Sequence, residues 1–195
     1  MKMNKEKSIL KAVGISGSLR RESFNRKALQ AAKKIALEIG VEVDEIDLKE
    51  MNIPLYDGDI ESNGFPEAVQ QLRKRIESAD MLIIATPEYN HSISGALKNA
   101  IDWLSTGKNI LDGKTAAIFG ASTGLFGTMR AQEHLRQILN ALNVTVLPQP
   151  QLFIRTAKDA FESDGPLSDQ KSFLQMQKLI TKTIELTILI KENKQ

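Results

Sequence analysis

The spacing of apolar positions along this chain switches repeatedly between strand-like and helix-like, and the switches mark out elements in alternation. Residues 9–15 form a short apolar run (Ile9, Leu10, Ala12, Val13, Ile15), the pattern of a strand covered on both faces. Between Asn25 and Ile39 the residues Ala28, Ala32, Ile35 and Ile39 recur at helical spacing, and Gly40 stands where a helix is closed. Residues 41–48 alternate, with Val41, Val43, Ile46 and Leu48 against Glu42, Asp44 and Asp47, which predicts a strand nearer the sheet edge. Residues 49–65 hold Pro54, Gly58 and Gly64 and little periodicity, so a long connection is expected there. Pro66 then opens a helix with Val69, Leu72 and Ile76 inward.

Residues 81–86 (Met-Leu-Ile-Ile-Ala-Thr) are the clearest buried strand, and they run directly into the polar turn Pro87-Glu88-Tyr89-Asn90. A helix over 95–105 carries Leu97, Ala100, Ile101 and Leu104 on one face. The strand at 115–119 ends in Gly120-Ala-Ser-Thr-Gly124, and the next helix presents Leu135, Ile138, Leu139 and Leu142. Residues 144–147 form the last predicted strand, stopped by Pro148 and Pro150. An irregular segment follows, and Ser168 is the expected cap of a C-terminal helix with Phe173, Met176, Ile180 and Ile184 aligned.

Strands followed one by one by helices require a parallel sheet with helices on both faces, an α/β architecture. Three polar, glycine-containing turns, at 14–25, 86–95 and 120–128, all follow strand C-termini. In an open parallel sheet those ends share one rim, where ligands bind at the switch in strand order. Turns distant in sequence are thereby expected to converge.

The composition narrows the chemistry. The 195 residues fit one domain spanning 1–195, with 42% apolar residues to build its core. No cysteine is present, which removes disulfides, thiolate metal sites and cysteine nucleophiles, and His91 and His134 are too few for a histidine metal cluster. A net charge of +2 is too balanced to make nucleic acid or an anionic membrane the main partner. The basic first residues lack the apolar core and small-residue site of a signal peptide, so a soluble cytoplasmic protein is expected.

The first turn is rich in groups that suit a phosphate monoester. It offers hydroxyls at Ser16, Ser18 and Ser23, the amide of Asn25, the guanidinium of Arg20, and glycines that free main-chain N–H groups beside a helix start. The competing reading is an ordinary Ser/Asn helix cap. The second turn adds a rigid proline, an aromatic ring and an amide; the third, through Ser122, Thr123 and Gly124, adds main-chain N–H groups. A flat aromatic ligand with a phosphate tail satisfies all three, and flavin mononucleotide (FMN) has that shape. The dinucleotide pattern G-x-G-x-x-G and the P-loop pattern are absent. Gly120-Ala-Ser-Thr-Gly124 matches the G-x-S-x-G nucleophile elbow. The only later histidine, however, is His134, and the only carboxylate between is its neighbour Glu133, so the triad cannot assemble.

Gly17-Ser-Leu-Arg20 with Ser23 and Asn25, then Pro87-Glu-Tyr-Asn90 with Ser92, Gly95 and Leu97-Lys-Asn-Ala-Ile-Asp-Trp103, resembles the NADPH-dependent FMN reductase family, and the likeness continues to Ser122, Gly124 and Arg130-Ala-Gln132. The resemblance implies a flavodoxin-like three-layer α/β/α sandwich around a five-stranded parallel sheet of order 2-1-3-4-5. It implies bound FMN, with NADPH or NADH as co-substrate and a small-molecule electron acceptor such as a quinone, free flavin, chromate or an azo compound, used in a ping-pong reaction. Ser18, Arg20, Ser23 and Asn25 would then hold the phosphate, with Ser16 a further cofactor-binding residue of the same turn. Pro87, Glu88, Tyr89 and Asn90 would line the ribityl chain and ring edge, with Ser122, Thr123 and Gly124 at the pyrimidine end. No side chain is nominated as a catalytic acid or base. Ser94 replaces a usual proline and Thr128 a usual glycine, and as both are expected beside the ring, acceptor choice is where they should tell. The family also implies a homodimer or homotetramer through the helix carrying Leu97, Ile101, Trp103 and Leu104. The rival readings are a flavodoxin-like electron carrier, which is usually acidic where this chain has a pI near 8.7, and a flavin-binding regulatory module.

Overall fold

A computed structural model describes residues 10–162 and 165–193. Its sheet contains β1 (Lys11–Ser16), β2 (Glu42–Ile46), β3 (Met81–Ala85), β4 (Thr115–Ala121), β5 (Thr145–Val146) and β6 (Leu152–Ile154). The order is β2-β1-β3-β4-β5, every pair is parallel, and β6 also pairs with β4. This is the flavodoxin-like arrangement expected from the sequence, with the fifth position divided. β5 covers Thr115 and Ala116, and β6 covers Phe119 to Ala121. Pro148 and Pro150, which have no N–H to donate to a ladder, lie in the gap. The segment expected to be irregular therefore contains a strand, and a short helix α7 (Ala157–Ala160) after it. The start of the first strand at Ile9 lies outside the described residues.

Register fixes where the turns begin. Ser16 lies opposite Ala85, and Ala85 opposite Phe119, so β1, β3 and β4 reach the rim together. β4 runs on through Gly120 and Ala121, two residues further than the apolar pattern indicated, because β6 is there to pair with them.

The sheet divides the core. Helices α1 (Phe24–Glu38) and α8 (Gln170–Glu192) cover one face, where Leu29, Ile35, Met176 and Ile180 meet Ile83, Phe119 and Ile154. Helices α4 (Glu67–Glu77), α5 (Gly95–Ser105) and α6 (Met129–Ala141) cover the other, where Leu72, Ile76, Leu97 and Leu135 meet Val13, Ile15, Leu82, Ile84 and Ile118. Residues 82–84 thus point alternately into two apolar layers, which is why that strand reads as an unbroken hydrophobic run.

Local chemistry sets the helix ends. The Ser23 hydroxyl accepts from Asn25 N and caps α1, and Gly40, at φ +91°, takes the left-handed position beyond it. Ile39, expected in the core, is half exposed at that end. Helix α8 is capped by Asp169, which accepts from Ser172 N at 2.9 Å, and not by Ser168, whose N–H and hydroxyl both turn to the Ala160 carbonyl.

Residues 49–65 are more ordered than a plain connection, with α2 (Leu48–Met51, capped by Asp47) and α3 (Gly58–Ser62) inside or beside them. This segment is pinned to α5: the Pro54 carbonyl accepts from Asn99 Nδ2 and Trp103 Nε1, each at 2.8 Å, and Tyr56 N donates to Asn99 Oδ1 at 2.7 Å. The Tyr56 ring stands edge-on to Trp103 at 5.0 Å. Leu97, Ile101, Trp103 and Leu104 are all buried within the protomer, so the apolar surface expected to seek a partner subunit is already consumed.

At the β2 edge, Asp44 accepts from Arg75 Nε at 2.7 Å and Nη2 at 2.5 Å. That hydrogen-bonded guanidinium holds the Asp44 carboxyl below its ordinary 3.8, more than offsetting the opposing effect of burial. For Asp47, burial pushes upward, but the bond from Arg26 and the N–H of Lys49 outweigh it, and the direction is again downward. A carboxylate with a depressed folded-state pKa contributes stability that is complete above its unfolded value and lost as pH falls through the folded one. Stability is expected to drop below about pH 4, with no more than about 1 kcal/mol from each partly exposed pair. Urea unfolding between pH 3 and 6 should show a shallower acid limb in Asp44→Asn; an unchanged limb would contradict the assignment.

Candidate active site

Each turn at the rim is held from outside itself. In the first, Gly17 N donates to the Ala85 carbonyl at 2.9 Å, and its own carbonyl accepts the Ser94 hydroxyl at 2.6 Å. A Cβ on residue 17 would crowd Pro87 Cδ at 3.0 Å, Ser94 Oγ at 3.1 Å and Leu97 Cβ at 3.2 Å, so glycine is what lets the first two turns touch. Ser16 Oγ accepts from Ser18 N (3.3 Å), Ser18 Oγ from Arg20 N (3.4 Å) and Ser23 Oγ from Asn25 N (3.2 Å). A hydroxyl has one donor besides its acceptor lone pairs. Among the described residues these three donate to no protein atom, so the helix-cap and anion-binding readings of the turn are compatible. Arg20 is exposed at its edge. Asn25 is buried and engaged elsewhere: its Nδ2 donates to the Ala121 carbonyl at 3.0 Å, and its Oδ1 accepts from Ala121 N at 2.9 Å.

The second turn starts where Thr86 N donates to the Phe119 carbonyl at 2.9 Å. Pro87 is buried against the first turn. Tyr89 and Ser92 exchange two main-chain bonds of 3.0 Å, with Asn90 (φ 50°) and His91 (φ 65°) both left-handed between them, as a tight type I′ hairpin requires. Tyr89 presents a half-exposed ring, and Asn90 is at the hairpin tip. Glu88 turns away from the tip. Its Oε2 accepts from the N–H groups of Arg130 (3.0 Å) and Ala131 (3.2 Å), and its Oε1 from Arg130 Nη1 (3.3 Å). A carboxylate there meets the unpaired N–H groups and the positive end of α6.

The third turn begins at Ser122, whose N–H donates to the Ile154 carbonyl at 3.0 Å. Ser122 O and Gly124 O accept from Ala157 N (3.0 Å) and Thr156 N (3.2 Å), so β6 and the start of α7 support the loop from behind. The N–H groups of Thr123 and Gly124 have no acceptor among the described residues. Below them a side chain on Gly120 would overlap the Thr128 hydroxyl and the Thr86 carbonyl, and one on Gly127 (φ +55°) would lie within 2.7 Å of the Phe153 main chain.

The two departures from the family pattern face inward. Ser94 caps α5 by accepting from Leu97 N at 3.2 Å while donating to Gly17 O. Thr128, left-handed at φ +69°, has its hydroxyl on Gln132 Nε2 at 3.1 Å. Both side chains are buried and bonded to protein groups. A β-branched residue at that φ stores backbone strain that a glycine would not.

Together the turns enclose a cleft of about 180 Å³ lined by Ser18, Arg20, Ser23, Asn25, Pro87, Glu88, Tyr89, Ser122 and Thr123. Ser16, Asn90 and Gly124 are outside its immediate lining. The exposed apolar side chains Leu125 and Phe126 follow the third turn, with the Arg130 guanidinium 4.0 Å above the Phe126 ring. A larger hollow of about 500 Å³ between β6, α7 and the start of α8 gathers none of the three turns and is not their site. His134 Nδ1 bonds Ser92 Oγ at 3.0 Å, so the histidine is engaged in the second turn. Ala121 was not marked by residue chemistry, and its role shows only once Asn25 is seen to bond the end of β4; Ser94 and Gln132 act through main-chain partners, Gly17 O and Leu152 O, that no local pattern connects to them.

A parallel sheet of order 2-1-3-4-5 whose strand ends carry these three turns around a cleft is a flavodoxin-like fold with its ligand site at the switch in strand order. The sequence profile described as NADPH-dependent FMN reductase matches residues 10–159. The chain is 48% identical over 164 residues to an NAD(P)H-dependent FMN reductase of Pseudomonas aeruginosa, covering 84% of this chain and 87% of that one. It is 41% identical over 169 residues to an NAD(P)H:quinone oxidoreductase of Solanum tuberosum, covering 84% and 86%. Among solved structures, the flavoenzyme NAD(P)H:(acceptor) oxidoreductase FerB of Paracoccus denitrificans superposes with a TM-score of 0.82 at 30% identity, covering 92% of this chain and 97% of that one. The chain belongs to the NADPH-dependent FMN reductase family and is an oxidoreductase with FMN as cofactor and NAD(P)H as co-substrate.

Ser94→Ala removes both a helix cap and a buried bond between turns, and should cost about 1–2 kcal/mol in urea unfolding. The ratio of kcat/KM for two chemically different acceptors should stay as in the unsubstituted protein. A changed ratio would return the residue to the acceptor pocket.

Proposed function

We propose that the three turns hold FMN, with its phosphate in the first turn, its ribityl chain and ring edge along Pro87, Tyr89 and Asn90, and its pyrimidine end at Ser122, Thr123 and Gly124. The observation that carries the proposal is the set of donors without protein acceptors on the two flanking turns: the hydroxyls of Ser16, Ser18 and Ser23 on one, and the N–H groups of Thr123 and Gly124 on the other. Hydroxyl donors beside the start of α1 suit a dianion, and Arg20 adds a positive charge at its edge. Fixed N–H donors suit the ring end that gathers negative charge on reduction.

When bound, FMN supplies the redox chemistry, taking hydride from NAD(P)H and passing electrons onward. The chain's own residues bind and orient. Glu88 anchors the second turn on α6 rather than touching the ring, Gly17 and Ser94 keep the first turn against the second, and no side chain is needed as acid or base because protons come from water. The exposed Tyr89, Leu125 and Phe126 leave an open apolar rim, which favours a flat acceptor such as a quinone or free flavin; chromate and azo compounds are further acceptors that such a rim admits. One open face used in turn by donor and acceptor implies ping-pong kinetics. A homodimer or homotetramer would form through exposed apolar residues outside α5, among them Leu55, Tyr56 and Ile60. Light scattering should then give two or four times the 21.7 kDa chain mass, and a monomer mass would end that part of the proposal.

NAD(P)H oxidation with a quinone should give parallel double-reciprocal lines, whereas intersecting lines would require donor and acceptor to bind together. Ser18→Ala removes one donor to a charged group, so its Kd for FMN should rise about 10- to 100-fold. An unaltered Kd would move the phosphate out of the first turn.

A further inference from the structure

Ala121 is the last residue of β4, and its two main-chain groups point to the side where β3 has already ended. β3 stops at Ala85, Thr86 N reaches Phe119 O, and beyond that bond β3 turns away at Pro87. On the opposite side of β4, β6 continues and supplies Ile154 O to Ser122 N. The N–H and C=O of Ala121 would therefore be buried without strand partners, a situation that folded chains avoid. Asn25, 96 residues away in sequence, fills the gap: its carbonyl oxygen accepts from Ala121 N at 2.9 Å and its amide donates to Ala121 O at 3.0 Å. The pair reproduces in one side chain the two bonds that a neighbouring strand would have made. Asn25 stands in the first turn of α1, and Ala121 directly precedes Ser122.

We infer that Asn25 is a positioning residue that fixes the ring-binding turn relative to the phosphate-binding turn, and that it is not itself a phosphate ligand. The inference rests on the placement of FMN proposed above. Swinging the amide toward a phosphate would strip both partners from Ala121, whereas the Ser16, Ser18 and Ser23 hydroxyls donate without giving up any protein bond. With the amide committed in this way, the spacing between the turns is set before the flavin arrives.

The test compares FMN with riboflavin, which lacks the phosphate, in the unsubstituted protein, Ser18→Ala and Asn25→Ala. Ser18→Ala should weaken FMN binding and leave riboflavin almost unchanged. Asn25→Ala should weaken both by the same factor, about 10- to 100-fold, the size of two lost buried bonds. It should also make the midpoint potential of the bound flavin more negative, because the Thr123 and Gly124 donors are displaced from the reduced ring; a merely destabilised fold would leave that potential alone. A loss confined to FMN, or no loss of either ligand, overturns the inference. If the unsubstituted protein binds FMN no tighter than riboflavin, the phosphate placement falls, and the inference falls with it. Should alanine prevent folding, nitrogen-15 resonances of the unsubstituted protein decide the matter. Replacing riboflavin by FMN should shift the main-chain amides of Ser18 and Arg20 and leave the Asn25 side-chain amide in place; a shift at Asn25 as large as theirs overturns the inference.

Discussion

Three main-chain hydrogen bonds just past the strand ends govern the arrangement of this protein. Gly17 N reaches Ala85 O, Thr86 N reaches Phe119 O and Ser122 N reaches Ile154 O, each at 2.9 to 3.0 Å. Each extends a parallel ladder by one bond after the chain has begun to turn. Because a parallel ladder transmits register from strand to strand, three loops that are remote in sequence leave the sheet at one level. The cleft follows from that constraint before any of its side chains is considered.

Side chains then lock the loops to one another. Ser94 joins the second turn to the first, Asn25 the start of α1 to the end of β4, and Glu88 the second turn to α6. All three are polar groups with substantial burial, and burying such groups is tolerable only when they are bonded; here the partners are main-chain groups that would otherwise be orphaned. The close approaches need small residues beneath them, which is the reason for glycine at 17 and 120. Thr128 and Thr156, both left-handed β-branched residues, carry evident backbone costs, and the Thr128 hydroxyl is bonded to Gln132.

Much of the layout was legible in the sequence. The unbroken run at 81–85, the helical spacing behind Gly40 and the glycine-bearing turns gave the layers and the rim, because burial on both faces and left-handed caps leave direct marks on composition. The split of the fifth strand was not legible: Leu152-Phe153-Ile154 is too short to stand out, and its strand character comes from β4. Trp103 misled for a related reason, since its partners are the carbonyl of Pro54 and the rings of Tyr56 and Phe65, which no local pattern connects to α5. Of the site residues, the serines were readable as hydroxyls near a helix start. The main-chain partners of Glu88 and Asn25 were not readable, because a polar residue in a polar turn carries no sign of the distant element whose main chain it bonds.

The claim on which the rest depends is that the cleft is assembled before the flavin binds. Hydrogen exchange on flavin-free protein measures this at individual amides. The account predicts slow exchange at Gly17, Leu97, Ala121, Arg130 and Ala131 without ligand, with little further slowing when FMN is added. Rapid exchange at those amides in the free protein, becoming slow only with FMN, would show that the ligand builds the cleft and would contradict the account.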